Sequence, residues 1–196
     1  MKNIKLVSAL LLAMLLTTFI SCSNNGSNKN NSSNNSQNTT ENNTSTTATT
    51  KEDYEKYLTE RYTHYFGDPS KAPEYDIYAE DFTFNGTTEE FLTIYNNSYN
   101  DLKTNLEAFK ADLQNYVKKG TPEVDKLNAD VIAEVDKTIT AVDKHNAGFV
   151  ETTKDYATLA KDEVVKGLRT IGNASHNAMN DLKEMVNNAK SKLSIS

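Results

Sequence analysis

The sequence predicts an all-α protein, an elongated antiparallel bundle of four to five helices that follows a disordered N-terminal tether. Three observations carry this. From Lys51 onward apolar residues recur at intervals of three and four, the period of a helix with one buried face. The seven glycines and three prolines sit mostly where that rhythm breaks. Only "FTF" at 82–84 alternates as a strand does. With 196 residues and 37% hydrophobic content, the chain can build one modest core.

Residues 1–21 have the layout of a secretory leader: Lys2 and Lys5 stand before the apolar run "LVSALLLAMLL". The run is short for a membrane span and lacks a basic flank after it, so cleavage is the expectation. Cys22, the single cysteine, then opens the mature chain. It has no partner for an internal disulfide and serves chemistry outside the fold, or none. Residues 22–50 are that cysteine and a polar tether. Positions 23–50 hold ten Asn, seven Thr and six Ser, with Ala48 the one apolar residue, and burial there cannot offset chain entropy. A flexible coil of this length reaches roughly 30 Å.

Residues 51–196 read as the helical domain. Thr50 and Asp53 suit a helix start, and "YEKYLTERYTHYF" runs to Gly67, Asp68 and Pro69. Thr87 and Glu90 form a capping box for a second helix. Its Phe91, Tyr95, Tyr99, Leu102, Leu106, Phe109, Leu113, Tyr116 and Val117 share one face, and Lys118 and Lys119 suit its negative end before Gly120 and Pro122 stop it. Thr121 and Pro122 open a third helix, in which "EVDK" at 123–126 and 134–137 and "AVDK" at 141–144 repeat a packing rhythm around Val124, Val135 and Val142. The same phase continues to Ile171. One helix over that span would measure about 75 Å, too long for a second helix of about 46 Å to cover. A break is therefore expected within "KHNAGFVETT" at 144–153, with Gly148 as its cap. A further helix begins after Gly172 and buries Ala178, Leu182, Met185, Val186, Ala189 and Leu193.

The catalytic inventory is thin. His64, His145 and His176 show no ligand spacing, the domain has no thiol, and no phosphate-binding glycine loop or nucleophile elbow occurs. The expectation is a non-enzymatic protein with no metal and no cofactor. A net charge of −6 disfavours nucleic acid as a partner. One segment exceeds packing needs, "GDPSKAPEYDIYAEDFTFNG" at 67–86, a long connection for a compact domain. Its Tyr75, Asp76, Tyr78, Glu80, Asp81, Phe82 and Phe84 place aromatic anchors in a negative field, suited to a basic partner surface. The alternative is that Ile77, Phe82 and Phe84 fold back as a lid over the bundle, with the carboxylates outward. The turn expected near His145, Asn146 and Phe149 is a second candidate.

"FISC" at 19–22 resembles a bacterial lipoprotein signal, with Phe19 in the relaxed form found in spirochaetes such as Borrelia. The resemblance implies a thioether-linked diacylglycerol on Cys22, whose acyl chains anchor the protein in the outer membrane, at the cell surface. With the Asn/Ser/Thr tether and a helical domain of this size, the chain is similar in layout to the factor H-binding surface lipoproteins of relapsing-fever Borrelia. Members of that family hold the host complement regulator factor H for complement and immune evasion, and some bind plasminogen. That resemblance implies an adhesin without catalytic activity. Two other classes fit the same layout: a structural or antigenically variable coat lipoprotein, and a periplasmic envelope lipoprotein.

Overall fold

The computed structural model describes residues 48–68 and 77–194. They form four α-helices: α1 (Lys51–Phe66), α2 (Thr88–Tyr116), α3 (Pro122–Thr153) and α4 (Lys161–Ser194), with a 3₁₀ turn at Tyr156–Thr158. Short connections reverse the chain between α2, α3 and α4. Tyr57 and Tyr65 of α1 both reach Asp112, and Ala48 lies beside Val117, so α1 runs antiparallel to α2. The fold is the expected all-α bundle. Helices α1 and α3 each pack on both α2 and α4.

Both capping boxes form. The Thr50 side chain accepts from the Asp53 amide while Asp53 accepts from the Thr50 amide, and Thr87 and Glu90 do the same at α2. Pro122 occupies the start of α3, where its missing N–H costs nothing. Gly67 ends α1 at φ 83°, in the left-handed region that glycine enters freely.

The helix ends depart from the sequence pattern in three places. Helix α2 stops at Tyr116, before Lys118 and Lys119, because Val117 turns extended and pairs with Ala48. The Ala48 amide donates to the Tyr116 carbonyl at 2.9 Å and the Lys118 amide to the Ala48 carbonyl at 3.0 Å. Ala48 is 1% exposed, so the last residues of the polar stretch belong to the folded unit.

The expected break at 144–153 does not occur there. Helix α3 continues through Asn146 and Gly148 because His145, Phe149 and Thr153, one turn apart, all stay buried. The chain leaves the helix at Lys154–Ala160, where Asp155 starts the 3₁₀ turn and Thr158 donates back to its carbonyl. Gly172 likewise lies inside α4 and starts no helix. The long helical stretch is thus cut once, about one turn later than the composition indicates, and the described residues hold four α-helices, the lower of the expected four to five.

Two apolar clusters share the core. One joins α1 to the adjoining parts of α2, α3 and α4 through Tyr54, Leu58, Leu106, Phe109, Val131, Leu182 and Val186. The other lies beyond the end of α1, built from Phe84, Phe91, Tyr95, Phe149, Val164, Val165 and Leu168.

Gly148 has an ordinary helical backbone and open space where a Cβ would sit. Gly148→Ala should therefore raise stability by about 0.5–1 kcal/mol in urea denaturation, since alanine loses less backbone entropy in a helix. A helix-capping glycine in the left-handed region would respond with a loss.

Candidate functional site

The long connection folds back onto the bundle. From Ile77 it is strapped to α4 by Arg169, whose Nε donates to the Ile77 carbonyl at 2.7 Å and whose Nη2 donates to the Ala79 carbonyl. A guanidinium suits this task because its planar donors can serve two carbonyls at once. The Tyr78 ring stacks on His176 with centroids 3.8 Å apart, and its hydroxyl donates to the Arg169 carbonyl. Farther along, Lys161 Nζ donates to the Phe84 carbonyl at 3.0 Å and lies over the Phe84 ring. Phe84 is 2% exposed and stacks on Phe91 at 4.1 Å.

Of the loop residues singled out from the sequence, Phe84 is therefore buried, Tyr78 and Phe82 are half-buried, and Glu80 and Asp81 are exposed. Tyr75 and Asp76, like Cys22, lie outside the described residues. The arrangement matches the lid alternative, with carboxylates outward. Burying a Phe side chain stabilises by about 1.5–3 kcal/mol, so Phe84 is held in place and has no free face for a partner.

His145, Asn146 and Phe149 sit on the buried side of α3 near the same end. The His145 ring, 4% exposed, stacks on Tyr99 with centroids 3.6 Å apart. Its Nδ1 faces Asn146 Oδ1 at 3.1 Å, and Asn146 donates in turn to Asn100 on α2. The His145 Nε2 is buried without a hydrogen-bond partner. Burial in these uncharged surroundings holds the imidazole below its ordinary pKa, with the Asn146 contact opposing. Burial, and then the neighbouring Tyr99 phenol, raise Tyr95 well above the tyrosine range.

Gly172 explains how these rings fit. A Cβ there would stand 2.7 Å from the Tyr78 hydroxyl, 2.8 Å from that of Tyr99 and 2.9 Å from that of Tyr95. Ser175, three residues on, donates to the Gly172 carbonyl and lies 3.1 Å from the Tyr99 hydroxyl. Three tyrosine tips from α2 and the loop thus converge on one bare stretch of α4. Gly167 plays the same part for Tyr156.

Between the first turns of α2 and the last of α3 runs an open groove of about 330 Å³. Its lining is mostly polar, with Glu89, Thr93, Asn96, Asn97, Thr153 and Lys154 around Leu92, Phe149 and Ala157. Val150, 73% exposed, and Leu159, 39% exposed, belong to the same end of the bundle. The sequence reading missed Arg169, Lys161, Gly172 and this groove. Arginine and lysine on a helix look like solvated charge until their backbone partners are known.

Among the described residues no group of three or more His, Cys, Asp or Glu could hold a metal ion, and no helix is long and apolar enough to cross a membrane. Compared with protein-family models, curated proteins and solved structures, the chain matches none.

Two outcomes follow from this packing. Gly172→Ala should destabilise by about 1–2 kcal/mol in the same urea assay, despite alanine's better helix propensity, because stacked rings cannot all withdraw from the new methyl. His145 makes stability pH-dependent. The unfolded chain takes up this proton near the ordinary value of about 6.5 and the folded chain only at lower pH, so its contribution is complete above that value and is lost as pH falls toward the folded pKa. Across that window the wild-type protein should lose stability more steeply than His145→Gln, by at most about 1.4 kcal/mol per pH unit.

Proposed function

We propose that this protein is a lipid-anchored bacterial surface protein whose helical domain binds a host protein, complement factor H foremost and plasminogen second, for complement evasion. The observation that carries the reading is the junction "FISCSNNG", where an apolar leader ends at the single cysteine and an Asn/Ser/Thr stretch begins. A cysteine placed there serves attachment, and a polar run after it serves reach.

The domain's chemistry supports binding over catalysis. His145 stacks on Tyr99, His176 on Tyr78, and the hydroxyls of Tyr78, Tyr95 and Tyr99 meet at Gly172, so these groups serve packing, while His64 is exposed. What remains for solvent is helix faces, exposed carboxylates such as Glu80 and Asp81, and a few apolar side chains. Surfaces of this kind recognise other proteins through a small apolar centre and a charged rim.

The immobilised mature chain, incubated with serum and washed at physiological salt, should retain factor H, identified by mass spectrometry. Serum passing without any retained factor H would remove that partner. Mass spectrometry of the mature N-terminus from the native organism should find diacylglycerol on Cys22; an unmodified Cys22 would remove the anchor. Protease treatment of intact cells should cleave the protein, and survival until lysis would favour the periplasmic class.

A further inference from the structure

Among the described residues every asparagine but one lies inside an α-helix, and the exception is Asn85, exposed between the lid and α2. An asparagine inside a helix is chemically quiet, because the amide of the next residue is tied to a carbonyl of the preceding turn. Asn85 is followed by Gly86, and among the described residues no hydrogen bond holds the Asn85 side chain or the Gly86 amide. With no side chain at 86, nothing screens the Gly86 nitrogen from the side-chain carbonyl carbon of Asn85.

The fold demands glycine at that place. Gly86 has φ 80°, in the left-handed region, and a Cβ there would stand 2.8 Å from Glu90 Oε2. Glu90 is not at liberty to withdraw, since it accepts from the amide and the hydroxyl of Thr87 in the capping box of α2. The cap that starts α2 therefore keeps the least hindered of all neighbours beside Asn85.

We propose that the Asn85 and Gly86 pair is a self-modification site, at which the asparagine converts through a cyclic imide to aspartate and isoaspartate and so loosens the junction between the lid and α2. The Gly86 nitrogen gives its proton to solvent base and bonds to the Asn85 side-chain carbonyl carbon, from which the side-chain nitrogen leaves, protonated, as ammonia. Water then opens the imide at either carbonyl. Attack at the side-chain carbon restores the ordinary backbone and leaves an aspartate; attack at the main-chain carbon leaves an isoaspartate, whose backbone runs through the side chain. One water is consumed and one ammonia released, with no change of oxidation state.

The two products act differently. The aspartate adds a negative charge just ahead of Glu89 and Glu90. The isoaspartate adds one atom to the main chain between two fixed points. Phe84 is one, its ring stacked on Phe91 and its carbonyl held by Lys161; Thr87 in its capping box is the other. The extra length shifts one of them.

The mature chain, aged at mildly alkaline pH, should show by peptide mapping that Asn85 gains the mass of amide-to-acid exchange at least tenfold faster than any helical asparagine. Isoaspartyl methyltransferase should label the same peptide. Asn25 and Gly26, which lie outside the described residues, fall in a separate peptide. The rate at Asn85 should come within tenfold of that in urea-unfolded chain; an amide that survives in the folded chain while the unfolded chain converts would overturn the site. Hydrogen exchange over 82–92 should be at least threefold faster in aged than in fresh wild type. Aged Asn85→Gln should match its fresh form, and fresh Asn85→Asp, which carries the charge without the extra atom, should match fresh wild type. Conversion without faster exchange, or equal acceleration in aged Asn85→Gln, would overturn the loosening. The reaction and its consequence stand or fall without reference to a host partner.

Discussion

Because α1 stops after 16 residues while α2, α3 and α4 run for 29, 32 and 34, the bundle has a fourth wall over only part of its length. At about 1.5 Å per residue, α1 covers about 24 Å of partners that reach about 44–51 Å. Beyond Phe66 the apolar faces of α2 and α4 would meet water unless other chain covered them. The connection between α1 and α2 does this, and its conformation follows from that duty. Ile77, Phe82 and Phe84 pack on the second cluster, and Tyr78 lies across α4. A loop offers fewer internal hydrogen bonds than a helix, so its carbonyls need outside donors. Arg169 and Lys161 supply them at Ile77, Ala79 and Phe84.

The same constraint accounts for tyrosine in this half. A gap wider than leucine can fill, yet shared with a polar loop and a helix backbone, suits a large ring with a hydroxyl tip. Tyr95 and Tyr99 reach from α2 toward α4, and Tyr78 arrives from the loop. Their tips need room at α4, and the residue without a side chain at that level is Gly172. His145 fills the space behind Tyr99 by stacking, and its burial there holds the imidazole below its ordinary pKa. Charge, side-chain size and loop path are here one packing solution.

Much of this was legible in the sequence, and the misses share a physical origin. Thr50, Asp53, Thr87, Glu90 and Pro122 act within one turn of themselves, so local chemistry places three helix starts, whereas the Thr121 hydroxyl makes no cap bond and donates to the distant Thr49 carbonyl. Val124, Val135, Val142 and Phe149 report the buried face of α3 because the helical period is fixed. Gly148 and Gly172 look alike in sequence, but the first is a helix interior with open space outside and the second a close-approach point, and only distant partners distinguish them. Ala48 escaped notice because its neighbours are polar, although the extended pairing with Val117 needs no composition of its own. Tyr116, in phase with the α2 stripe, is 38% exposed, while Val117 beside it turns extended and stays in the core against Ala48.

Aromatic residues in an acidic loop therefore have two very different uses, and the bundle's geometry decides between them. A partner that used Phe84 as an anchor would first extract it from its stack on Phe91, giving up about 1.5–3 kcal/mol of burial. It would also break the Lys161 bond that holds the Phe84 carbonyl. Val150 and Leu159 need no extraction, since most of the Val150 side chain is already in water. Covering them gains apolar burial without a preceding loss. The apolar surface already in water at this end therefore lies at Val150 and Leu159, while the loop turns its Glu80 and Asp81 to solvent and its aromatic half serves the fold.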